Sequence, residues 1–192
     1  MSDELAQVPD PQTLSREVAR LRAQVAALEE RVRLLDHLAH RDSLIDMPNR
    51  RGFMRQLARL SDRVTRYGDC AAMLFVDIDG LKVINDSLGH SAGDQALIQV
   101  AELLIRGVRE SDTVARIGGD EFGILLDHSD ERTAMETAAR LVEDIAGASF
   151  ICDGTCMPLS VAIGVAAIET GDCPEAVITR ADEAMYREKA AA

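Results

Sequence analysis

The sequence predicts an α/β domain, helices layered against a sheet, behind an N-terminal helix built to pair with a second copy of itself. Three observations carry this. Apolar runs of strand length alternate with helix-spaced segments from residue 71 onward, the pattern of a layered fold. Residues 14–35 hold a strict 4-3 apolar repeat. The 192 residues are 47% hydrophobic and 28% charged, which supplies both a core and a solvated surface and excludes wholesale disorder.

The elements follow in chain order. The opening MSDELAQVPDP is acidic and polar, unlike a secretory signal, and residues 1–13 are expected to be disordered. Leu14, Val18, Leu21, Val25, Leu28, Val32 and Leu35 then place valine at a and leucine at d, the choice that favours a parallel two-stranded coiled coil. Across such a pair Glu17 faces Arg22 and Arg31 faces Asp36. A single amphipathic helix lying on its own domain is the alternative, but the stripe is narrow and its register strict. The seam ends at Ala39 and Asp42, so 14–40 is read as a dimerisation helix and 41–192 as the α/β domain that follows it.

Pro48 and Asn49 mark a turn, after which a helix resumes over 51–67. AAMLFVDI (71–78) reads as a buried strand, with helices within 81–88 and at 91–107. TVARIGGDEFGILL (113–126) reads as two strands joined by a tight glycine turn. Residues 130–147 have helical spacing, 158–168 are strand-like, and 178–190 form a final helix.

Composition excludes several functions. The formal charge is −12, from 33 acids against 21 bases, the wrong sign for a duplex-binding face. Aromatic residues make up 3% and tryptophan is absent, so no platform for stacking single-stranded bases is expected. No apolar run approaches the roughly 20 residues of a membrane span, and the expected compartment is the cytoplasm. Cys70, Cys152, Cys156 and Cys173 lack the paired spacing of a zinc site. They are read as reduced, partly buried thiols, with Cys152 and Cys156 in a CDGTC turn.

The chemistry concentrates in acids at strand ends. Asp77 and Asp79 end the first strand, and Asp120 and Glu121 sit at the hairpin tip. Acids at such places are often only turn and cap residues. If the hairpin lies beside the first strand, however, the carboxylates converge on one sheet edge. Hard oxygen ligands so clustered suit Mg²⁺ or Mn²⁺, and Mg²⁺ suits polyphosphates. Of the 21 basic residues only Lys82 and Lys189 are lysines.

RIGGDEF (116–122) and FVDIDGLKVINDSLGHSAGDQAL (75–97) together resemble the GGDEF family of diguanylate cyclases. The resemblance covers about residues 41–190, and the paired motifs at this separation make it specific. It implies an α+β sandwich like the polymerase palm and the nucleotidyl cyclase domain. It also implies an enzyme that condenses two GTP into cyclic di-GMP and two pyrophosphates. Carried over by motif, the resemblance assigns Asp77, Asp120 and the Ile78 carbonyl as ligands of two divalent ions, Mg²⁺ or Mn²⁺, per GTP site. Glu121 assists, and Asp120 matches the general base. Lys82 and Lys189 match phosphate-binding positions, and the turn from Ile78 to Lys82 can offer N–H groups to phosphates. Asn85 and Asp94 match the residues that read guanine, whose N1 and 2-amino donors a carboxylate can accept. His90 matches a substrate contact. Arg109 and Asp112, in RESD, match an inhibitory site where the product cyclic di-GMP binds. His37, His40 and His128 match nothing and are read as surface residues.

Two departures stand out. The family's opening motif reads like DxLTGLxNRR, whereas DSLIDMPNRR carries Ile45, Asp46 and Met47 in place of Thr, Gly and Leu. The family often continues past the final lysine to a Gly-Arg-Asn ending, which is not found before Ala192. The rival readings are a catalytically inactive cyclic di-GMP receptor and a coiled-coil adaptor. The intact GGDEF string and metal carboxylates speak against the first, which a GTP turnover assay separates from the cyclase; the adaptor reading predicts neither GTP turnover nor product binding.

Overall fold

A computed structural model describes residues 10–152 and 154–191. The disorder expected for 1–13 concerns, for residues 1–9, a stretch outside the described residues. Residues 11–13 are already helical, because the first helix, α1 (Pro11–His40), begins on a proline, which is tolerated at a first helical position. The apolar seam from Leu14 to Leu35 is 45–63% exposed along its whole length. On the same helix Glu17 accepts from Arg20 at 2.6 and 2.9 Å.

From His40 onward the chain forms a second compact unit. Its helices are α2 (Arg50–Tyr67), α3 (Leu81–Leu88), α4 (His90–Arg106), α5 (Glu131–Ala146) and α6 (Pro174–Ala191). Its strands are β1 (Ala71–Ile78), β2 (Thr113–Arg116), β3 (Glu121–Asp127), β4 (Phe150–Cys152), β5 (Thr155–Met157) and β6 (Val161–Ala167). The main sheet has the order β2-β3-β1-β6 and is antiparallel throughout. Helix α2 starts where Asn49 accepts the Gly52 N–H at 3.0 Å, and it stops at Gly68, whose φ of 72° suits glycine.

The two faces of β1 explain its unbroken apolar run. Ala72, Leu74, Val76 and Ile78 join a core with residues of α3, α4 and α5, including Leu97, Leu104 and Leu141. Ala71, Met73 and Phe75 join Phe53 and Leu57 of α2 and Val177 and Met185 of α6. A strand covered on both faces needs apolar residues at every position. Asp77 continues the second series, so it lies on the α2/α6 face.

Two glycines let elements approach closely. A Cβ on Gly123 would lie 2.6 Å from the Phe53 ring, and one on Gly164 would strike the backbone of α6 at Ala181 and Met185. Helix α6 therefore lies directly on β6.

The structure differs from the sequence reading in four places. Helix α6 starts at Pro174, four residues earlier than expected. The CDGTC segment is the tip of a two-stranded hairpin, β4–β5, with residue 153 outside the described residues. Only Cys152 is buried; Cys70, Cys156 and Cys173 are exposed, because each falls at an element edge or beyond the core-facing positions. His40 is half-buried, since its carbonyl accepts the Asn49 N–H at 2.9 Å and lies against Gly52.

Candidate active site

Strand pairing builds the site. Asp77 and Glu121 are direct partners across β1 and β3, so their side chains share one face. The Ile78 N–H donates to the Asp120 carbonyl at 3.1 Å, which seats the hairpin tip beside the end of β1. Glu121 folds over Gly118, where a Cβ would meet its carboxylate.

Arg116, at the end of β2, holds the tip from behind. Its guanidinium donates to the Gly119 carbonyl at 2.7 and 3.2 Å and to Asp42 Oδ1 at 3.3 Å. Asp42 also accepts the N–H groups of Leu44 and Ile45, so the 42–45 turn and the glycine turn share one anchor. The residues that depart from the family's opening motif are absorbed here: Ile45 and Met47 are buried, and Asp46 is ion-paired with Arg41.

The acids carry unfavourable electrostatics. Burial raises the Asp77 carboxyl above the usual carboxylate range, opposed by Lys189 and reinforced by Asp120 and Asp79. Burial also raises Glu121, with Asp120, Asp77 and Asp182 adding like charge. Lys189 is bonded to Asp77 Oδ1 and lies 3.5 Å from Asp79 Oδ1. Burial alone would lower its ammonium, but the two carboxylates outweigh this and raise it.

Among the described residues no three His, Cys, Asp or Glu side chains are grouped so as to enclose a metal ion. The donor set nevertheless fits Mg²⁺, which is held by one or two carboxylates and completes its shell with water and substrate phosphate oxygens. The pairing of Asp77 with Glu121, with Asp120 and Asp79 beside them and Lys189 as the cation in contact, is the observation that favours a further cation.

The other candidates are placed as follows. Lys82 is exposed on the first turn of α3 and, among the described residues, makes no ion pair, so only one of the two lysines touches the acids. The N–H groups of Ile78 and Asp79 are spent on Asp120 and Ser160. Those of Gly80, Leu81 and Lys82 have no acceptor among the described residues, which narrows the phosphate-facing turn to these three. Gly80, at φ 68°, opens it. Asn85 is half-buried against Gly93, while His90 and Asp94 are exposed at the start of α4.

Arg109 and Asp112 lie elsewhere. Asp112 accepts the Arg109 N–H at 2.9 Å and the Asp127 N–H at 3.1 Å, tying their turn to the far end of β3. The Arg109 side chain is exposed and borders a pocket of about 300 Å³ with Arg106, Arg140, Thr133 and Thr137. Sequence reading missed Arg106 and Arg140. Arg106 precedes Arg109 by three residues and could have been noticed; Arg140 lies on another helix, where no local signal marks it.

An antiparallel sheet carrying clustered acids at one end of its two central strands, with helices on both faces, defines a palm-like domain. The "Diguanylate cyclase, GGDEF domain" family matches residues 39–192, and the chain belongs to that family. It is 40% identical over 164 residues to diguanylate cyclase TpbB of Pseudomonas aeruginosa, covering 84% of this chain and 38% of TpbB. It is 37% identical over 199 residues to response regulator PleD of Caulobacter vibrioides, covering 99% of this chain and 43% of PleD. The chain thus spans less than half the length of either relative. The coiled coil and GGDEF domain of DgcB from Caulobacter crescentus, solved with c-di-GMP, superposes with a TM-score of 0.85 at 26% identity, covering 93% and 95% of the two chains. Among the described residues no helix is long and apolar enough to cross a membrane.

Proposed function

We propose that the chain is a diguanylate cyclase working in the cytoplasm on GTP. The observation that carries this reading is the meeting of Asp77, Glu121 and the Asp120 turn with Lys189 at one end of β1 and β3, within the family's own motifs. The 3′-oxygen of one GTP attacks the α-phosphorus of the other, the α–β anhydride bond breaks and pyrophosphate leaves. The reciprocal step closes the ring, so two links form and two pyrophosphates depart. Asp120 accepts the 3′-hydroxyl proton. Asp77, Asp120 and the Ile78 carbonyl, with Glu121 assisting, would hold two Mg²⁺ or Mn²⁺ ions, which supply charge stabilisation at the phosphates. Lys82, Lys189 and the free N–H groups of Gly80, Leu81 and Lys82 hold the triphosphate. Asn85 and Asp94 read guanine, and His90 touches substrate.

Two equivalent links require two half-sites face to face. The exposed Val/Leu seam of α1 supplies a parallel homodimer and raises the effective concentration of the second domain. Cyclic di-GMP inhibits at Arg109 and Asp112. Asp112 sets the turn, while the exposed Arg109, flanked by Arg106 and Arg140, meets the anion. The test is incubation of the chain with GTP and Mg²⁺ and identification of the product by mass. Cyclic di-GMP with stoichiometric pyrophosphate is expected; product binding without turnover would favour the receptor reading instead.

A further inference from the structure

Lys189 reaches the site from the last turn of α6, 112 residues along the chain from Asp77. Its ammonium takes the Asp77 oxygen nearest to it and leans towards Asp79, while Asp77 is already crowded by the negative charge of Asp120. A carboxylate oxygen has two lone pairs, but an ammonium and a divalent cation on the same oxygen repel each other, so they compete for it. We propose that Lys189 is the resident counter-ion of the acid cluster and makes divalent cation binding conditional on the nucleotide.

The proposal rests on the cyclase reading for the identity of the site. A cation arriving alone must displace Lys189 and then remain beside it. A triphosphate arriving with the cation offers the ammonium a second set of anionic oxygens, so Lys189 can leave Asp77 without losing its partner. Cation and triphosphate affinities are then coupled, and linkage makes that coupling reciprocal. The side chain suits an exchange of partners. Lys189 is one-third exposed, on a flexible four-carbon stem, and its charge is compact enough to serve a carboxylate or a phosphate. The close seating of α6 on Gly164 holds the helix where its last turn reaches Asp77.

The test is Mn²⁺ binding to the full chain without nucleotide, followed by the spectroscopic signal of the free ion. Lys189→Met and Lys189→Gln should each bind Mn²⁺ at least about tenfold tighter than wild type, because a positive charge bonded to the Asp77 carboxylate is removed. Adding Asp77→Asn to Lys189→Met should abolish the gain. A non-hydrolysable GTP analogue should tighten Mn²⁺ binding strongly in wild type and much less in Lys189→Met. Equal Mn²⁺ affinity of wild type and both Lys189 variants overturns the proposal, as does a gain that survives Asp77→Asn. Wild-type turnover of GTP judges the cyclase reading separately. A chain that makes cyclic di-GMP but shows no Lys189 effect loses only the counter-ion role, and a chain showing the effect without turnover loses only the cyclase reading.

Discussion

Aspartates stand at both ends of the central strands, and the two ends treat them in opposite ways. Where β3 ends beside the start of β1, Asp112 spends both carboxylate oxygens on backbone N–H groups, those of Arg109 and Asp127. Asp42, Asp130 and Asp172 do similar work at other turns. At the other end, among the described residues, the side chains of Asp120 and Glu121 accept no hydrogen bond and the Asp77 carboxylate is answered only by Lys189. The titrations follow. Asp130 is lowered by its bonds to Thr133, and Asp172 by its bonds to Arg180. Asp77 and Glu121 are raised, by burial first and neighbouring acids second. An acid that builds structure already has its partner in the fold. An acid that binds something is left in a state the fold alone does not satisfy, a tension expected where function competes with stability.

The largest expected effect tests that division directly. Asp120→Asn should lower GTP turnover by at least about 10²- to 10⁴-fold, the usual range for losing a general base. Its thermal stability should stay level or rise, because like charge is removed from beside Asp77 and Glu121. A marked loss of stability would place Asp120 with Asp112 among the structural acids. Turnover assays paired with thermal unfolding decide this.

Gly164→Ala sharpens the comparison from the packing side. The added methyl has no room against α6 and should cost about 1–3 kcal/mol in denaturant unfolding. It should also push the last turn of α6 away from Asp77, so turnover falls beyond what the lost stability explains. Loss of stability with unchanged kcat would mean that α6 can shift without moving Lys189.

The smallest effect belongs to a structural acid. Asp172→Asn breaks the partly exposed pair with Arg180 and should cost about 1 kcal/mol with kcat unchanged. Because the native Asp172 carboxyl is lowered below its unfolded value, its contribution is present in full above the ordinary carboxylate range. It is lost as pH falls through the lowered native value. Wild type and Asp172→Asn should therefore differ at neutral pH and converge in acid, as urea unfolding across the carboxylate range would show.

What the sequence alone determined is what repeats locally or sits in a fixed string. The 4-3 seam, the helices at 51–67, 81–88 and 130–147, and the strand at 71–78 all follow from side-chain periods that need no distant partner. The RIGGDEF and DxD strings located Asp77, Asp120 and Glu121, because spacing along a strand is preserved when the strand is placed. Short elements with weak alternation, such as β4 and β5, left little signal; Ile151, the middle residue of β4, is exposed. Tertiary structure decided the rest. It chose Lys189 over Lys82 as the partner of Asp77, gathered Arg140 beside Arg109, and tied Asp42 through Arg116 to Gly119. These are contacts between residues far apart in the chain, set by strand register and by how closely a helix can lie on a glycine. Neither is written in any one segment, because both depend on which faces are buried together.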